Sequence, residues 1–167
     1  MIKEAVAKSI NDQINKEYYS SYLYLSMSAF FESEGLKGFA NWMRIQAKEE
    51  ADHADKFFDY LNDRGGRVML RAIDQVPTEF GSVLEVFEQV LEHEEFVTES
   101  VNNMMDIAIK ENDHATKSFL QWFVDEQVEE EATVGDIINN LKLIKGDGQG
   151  ILMMDRELGA RSYVKAE

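Results

Sequence analysis

The chain reads as an all-α protein: a four-helix bundle with one long crossover between its second and third helices, plus a short C-terminal helix. Three observations predict this. Proline occurs once, at Pro77, and the ten glycines gather at a few breaks, so long segments are free of the residues that interrupt helices. Between the breaks, apolar residues recur every three to four positions, the period of one helix face. The joins between segments run short, long, short, and that order sets the topology.

The first segment spans about 4–33 and stops at EGLKG; the second spans about 37–64 and stops at Gly65-Gly66. So few residues part them that they must form an antiparallel hairpin. The stretch RVMLRAIDQVPTEFGS comes next, without helical period and holding the lone proline. This join is roughly 17 residues, which at about 3.3 Å each reaches some 55 Å. A helix of about 28 residues is only about 42 Å long, so the join can travel the whole bundle and start the third helix at the far end. The third segment spans about 82–110 and the fourth about 113–145, again a hairpin. After GDGQG, the apolar ILMMDRELGARS suggests a last helix over about 150–161. With no internal repeat, residues 1–167 read as a single domain.

Composition bounds the function. A chain of 167 residues buries a core without staples. It has no cysteine, which removes disulfides, thiolate zinc sites, Cys-ligated iron–sulfur clusters and Cys nucleophiles, and fits a reducing compartment. A net charge of −15 argues against nucleic acid, which needs a basic surface, and favours cations. Disorder is excluded by 44% hydrophobic content with two tryptophans, six tyrosines and ten phenylalanines. The N-terminal MIKEAVAKSINDQ lacks the apolar centre of a signal peptide, and no stretch is long and apolar enough to span a membrane. The expectation is a cytoplasmic protein.

The core stripes carry the chemistry. The first reads Ile10, Ile14, Glu17, Ser21, Tyr24, Ser28, Phe31, and the second Phe39, Met43, Gln46, Glu50, His53, Phe57, Tyr60. The third reads Val83, Phe87, Val90, Glu94, Val97, Val101, Met104, Ala108, and the fourth Leu120, Phe123, Gln127, Glu130, Val134, Ile137, Leu141, Ile144. Each contains one carboxylate near its middle, and two add a second ligand-type residue one turn away. A buried, unpaired carboxylate is costly. Four at one level make physical sense around a multivalent cation, and four carboxylates with one imidazole suit iron or manganese. The ligand count fits two metals, with Glu50 and Glu130 central enough to bridge.

The acidic run DEQVEEE at 125–131 then divides in two. At about 100° per residue, Gln127 and Glu130 face the core and Glu126 sits at its edge. Glu129 lies further round, Glu131 flanks the other side, and Asp125 points away. Val128 faces outward, an apolar residue on a wet face that suggests a partner subunit.

With these residues in place, the sequence resembles the ferritins, specifically the non-haem bacterial and archaeal type. The resemblance covers essentially the whole chain and rests on NDQINKEYYSSYLYLSMS, GFANWMRIQAKEEADHADKF, LEHEEFVTES and DHATKSFLQWFVDEQVEEE. Ferritin-like bundles are the general model for this crossover topology and for di-iron ligands drawn from four helices, so the ligand assignments belong to the resemblance. It implies a di-iron ferroxidase centre without haem, with Glu17, Glu50 and His53 at the first iron and Glu50, Glu94 and Glu130 at the second. Gln127 would face the oxidant. Glu49, Glu126 and Glu129 match a third iron site on the cavity side, and Tyr24 and Trp122 match aromatic residues able to supply electrons. The resemblance also implies a homo-oligomeric, hollow 24-subunit shell that oxidises Fe(II) with dioxygen or hydrogen peroxide and stores a ferric mineral.

Two departures narrow the type. Bacterioferritins and rubrerythrins carry a second Glu-x-x-His on the last long helix; here the place is Gln127-Val128-Glu129-Glu130 with no histidine after it. The acidic three-fold pore of animal ferritins falls on Lys117 and Leu120, so that route for iron does not carry over. The rival function is a peroxide-reducing di-iron oxidase without storage.

Overall fold

The computed structural model describes residues 1–165. Five helices occur in order: α1 Glu4–Ser33, α2 Lys37–Asp63, α3 Val83–Lys110, α4 His114–Ile144 and α5 Gly148–Leu158. The sequence-based limits of the first four agree to within one residue. Ser82 and Asp113, expected inside helices, are N-caps. Ser82 exchanges bonds with Glu85 in a capping box, and Asp113 accepts from the Thr116 amide. The last helix is displaced from its expected 150–161. Asp147 accepts from the Gly150 amide at 2.9 Å and so starts α5 inside the glycine run. The helix ends before Gly159, where the chain turns back toward α2.

Helix ends explain the short joins. Gly35 takes a φ of +77° and Leu36 donates to the Phe31 carbonyl at 3.0 Å, closing α1 with a left-handed turn. Gly65 does the same for α2. Arg64, just past α2, forks onto both Asp113 oxygens at 3.1 Å and ties the two hairpins together at that end.

The crossover runs beside α1. Asn11 bonds Arg67 and Met69, Asn15 bonds the Ala72 carbonyl, and Ser26 bonds the Pro77 carbonyl. It therefore climbs the bundle from the base of α1 to its top, and α3 descends parallel to α2. Across the interior, Tyr24 meets Glu94 while Gln13 meets Ser100, so α1 and α3 are antiparallel.

The apolar core is in two parts. One holds Phe31, Phe39, Trp42, Met43, Phe87 and Val90 at the α5 end; the other holds Ile10, Ile14, Phe57, Leu120 and Phe123. Phe57 and Phe123 stack at 4.0 Å. Between the two parts lies a layer of buried polar side chains.

Candidate metal centre

Each long helix contributes to that layer where its apolar stripe is broken. α1 brings Glu17, α2 brings Gln46, Glu50 and His53, α3 brings Glu94, and α4 brings Gln127 and Glu130. All are buried, with between 0 and 7% of their surface exposed. The helical period that buries Ile14 and Phe57 also turns these groups inward.

Glu17, Glu50 and His53 offer ligand atoms that all lie within 4.8 Å of one another. His53 Nδ1 is 3.4 Å from a Glu50 oxygen. Glu17 Oε1 accepts from the Gln13 amide at 2.8 Å, but its Oε2 is buried with no donor to accept from, and the acidic neighbour it meets is the Glu50 carboxyl. An orphaned carboxylate oxygen is costly to bury, and this one belongs to the group of hard oxygen and imidazole donors that suits a transition-metal cation. On that observation the residues fit a metal.

Glu94 and Glu130 stand outside this tightest grouping. Tyr24 donates its phenol proton to one Glu94 oxygen, and Gln127 donates to the other at 3.1 Å and to Thr98 Oγ1 at 3.2 Å. Their charges nevertheless reach Glu50. Burial, then Glu94 and Glu130, hold the Glu50 carboxyl well above the usual range. Burial and then Glu50 push Glu17 up to about 8. Glu130 is raised by burial and by Glu94, and Glu94 by burial against its two hydrogen bonds. The Tyr24 phenol is held well above its usual value by burial and the neighbouring carboxylates, so it keeps its proton. The layer is electrostatically frustrated as a set of anions, and a multivalent cation relieves every member at once.

The three remaining carboxylates are placed differently. Glu49 and Glu126 are half-buried, whereas Glu129 is exposed. Burial raises the Glu49 carboxyl, and Glu126 is close enough to add to that rise. Glu49 is paired with Arg161. Asp125 is exposed and bonded to Gln121, and Val128 is 67% exposed. Trp122 lies edge-on to His53 at 5.4 Å. The stripes missed Gln13, whose carbonyl oxygen accepts from Ser100, itself bonded by Lys16 at 2.6 Å. Its signal was present, since Gln13 stands one turn before Glu17 on the same face. They also missed His93, which bonds Ser20 at 2.7 Å and is kept neutral by burial, at about 4.

Fold and site together define a helical bundle with a buried carboxylate–imidazole cluster at its middle whose donors could hold a metal. Residues 7–144 match the ferritin-like domain family, and the chain belongs to the ferritins. It is 49% identical to a bacterial non-heme ferritin of Bacteroides fragilis over 161 residues, 96% of this chain and 100% of that protein. It is 42% identical to a bacterial non-heme ferritin of Staphylococcus saprophyticus over 167 residues, 100% of both. Among solved structures, an open-pore ferritin of the hyperthermophilic archaeon Archaeoglobus fulgidus is 50% identical, with a TM-score of 0.96 over 97% of this chain and 100% of that one. A closed form engineered from A. fulgidus ferritin gives 0.97 at 49% identity, over 98% and 100%.

Proposed function

We propose that this protein stores iron and carries a ferroxidase activity. Fe(II) is the substrate: two ions bind at the midplane, each gives one electron to dioxygen or hydrogen peroxide, and Fe(III) passes to a mineral held in a hollow 24-subunit shell. The observation that carries the reading is the buried, unpartnered Glu17 Oε2 grouped with Glu50 and His53. Glu17, Glu50 and His53 would hold the first ion, and Glu50, Glu94 and Glu130 the second. The charges that repel one another in the layer become the source of affinity, because each carboxylate ionises as it gains a cation.

The surrounding residues prepare the reaction. Gln13 fixes Glu17 by one oxygen and leaves the other free. Tyr24 and Gln127 orient Glu94, and the protonated phenol of Tyr24 can give up a proton and an electron together. Trp122, edge-on to His53, is the second aromatic donor. Glu49, Glu126 and Glu129 form a third position between the centre and the cavity.

Storage, as opposed to oxidation alone, is favoured by exposed Val128, Leu143, Leu152 and Met153, apolar surface that a shell of identical subunits would cover. No helix among the described residues is long and apolar enough to cross a membrane, which accords with a cytoplasmic role. Stopped-flow oxidation of Fe(II) by the Glu50→Ala and His53→Ala variants is the test. Each loses a ligand, so the fast phase should fall by orders of magnitude while helical content stays. Unchanged kinetics in either variant would refute the assignment.

A further inference from the structure

After α5 the chain folds back onto α2 and delivers a cation to Glu49 and Gln46, beside the centre. Arg161 donates to Glu49 Oε2 through Nη2 at 2.5 Å and to Gln46 Oε1 through Nη1 at 3.0 Å. Its guanidinium lies 4.8 Å from the Trp42 ring centroid, a stacked and forked geometry particular to arginine. The seat does not depend on the side chain alone. Asn41 donates to the Arg161 carbonyl at 3.0 Å, and Asp155 accepts from the Gly38 and Phe39 amides at 2.8 and 3.0 Å, docking α5 on the N-terminus of α2. Gly38 permits this approach, since a Cβ there would lie 1.5 Å from the Asp155 carbonyl oxygen.

Gln46 connects this contact to the centre. Its Oε1 is taken by Arg161, so its Nε2 is turned toward Glu50 Oε1, 3.3 Å away. Glu49 is one of the three carboxylates of the third position, and its nearest cation is the guanidinium. We propose that Arg161 is a tethered competitor for the third iron. With its guanidinium on Glu49 that position is closed to metal, and a third cation reaches Glu49 only after Arg161 lets go. The arginine thus sets how much iron the centre retains and when it passes inward. This rests on the third position assigned to Glu49, Glu126 and Glu129 in the proposed function.

The test is anaerobic calorimetric titration of the full-length apoprotein with Co(II), which binds without being oxidised. Wild type should show two tight steps per subunit and a weaker third. Arg161→Gln should keep the two tight steps and tighten the third by about tenfold or more, the scale of one charge-assisted hydrogen bond. Adding Glu49→Gln to that variant should abolish the gain. Arg156→Gln removes the same charge from an exposed place on α5 and should leave the third step as in wild type. A third step unmoved in Arg161→Gln, or strengthened equally in Arg156→Gln, overturns the inference. Absence of the two tight steps from wild type overturns the centre itself, and the inference with it, and is a separate readout.

Discussion

Replacing Glu17 by Gln should stabilise the metal-free protein, and by an amount that depends on pH. Glu17 is 1% exposed, one of its oxygens has no partner, and its carboxyl is raised from 4.5 to about 8. The native state therefore holds a proton that the unfolded chain gives up above its own pKa. Folding takes up that proton, so stability is fully present below 4.5 and is lost as pH rises through about 8. By linkage this residue alone costs about 3 kcal/mol at neutral pH and about 5 kcal/mol once both states are ionised. Glutamine is neutral throughout, has the same shape and still accepts the Gln13 amide. Scanning calorimetry at fixed subunit concentration should place the variant about 6–12 °C above wild type at neutral pH, with the two converging near pH 4. Added Zn(II) should reverse the order, because only wild type keeps the full ligand set. Equal melting temperatures at neutral pH, or a gap that persists unchanged in acid, would show that Glu17 is not a burdened carboxylate.

Two other perturbations probe the proposed third position and the fold. Glu126→Ala and Glu129→Ala should leave the first rapid turnover intact but change iron bound per subunit or the rate at which the centre regenerates. Asp125→Ala, on the exposed side, is the control, and an equal effect from it would discredit the third position. Gly38→Ala forces a Cβ to within 1.5 Å of the Asp155 carbonyl oxygen, so α5 must lift from α2 at a cost of about 2–4 kcal/mol. Thermal denaturation and protease sensitivity after residue 144 should both report it; a variant as stable and resistant as wild type would mean α5 is not docked there.

Most of the architecture was legible because it rests on local rules. Apolar periodicity and glycine stops gave the four long helices, and the ratio of join length to helix length gave the crossover that the Asn11, Asn15 and Ser26 bonds trace along α1. Glu17, Glu50, His53, Glu94 and Glu130 were visible as breaks in apolar stripes, and the structure buries each of them. The roles of Glu49, Glu126 and Glu129 came from resemblance, since periodicity placed only Glu126 near the core. What the sequence hid is long-range. Arg161 meets Glu49 across 112 positions of chain, and no spacing rule links a residue beyond a short terminal helix to the middle of α2. The start of α5 was missed for a local reason: Asp147 caps a helix that tolerates two glycines in its first turn.

On the proposed function, this chain oxidises Fe(II) at its own carboxylates and keeps the product inside a shell. Apoprotein given Fe(II) in excess of its binding sites under air, then separated by size and assayed for iron, tests both halves. The expected result is a single large particle whose iron far exceeds three per subunit and co-migrates with protein. A monomer or dimer, or a particle holding no more iron than its binding sites, would contradict it.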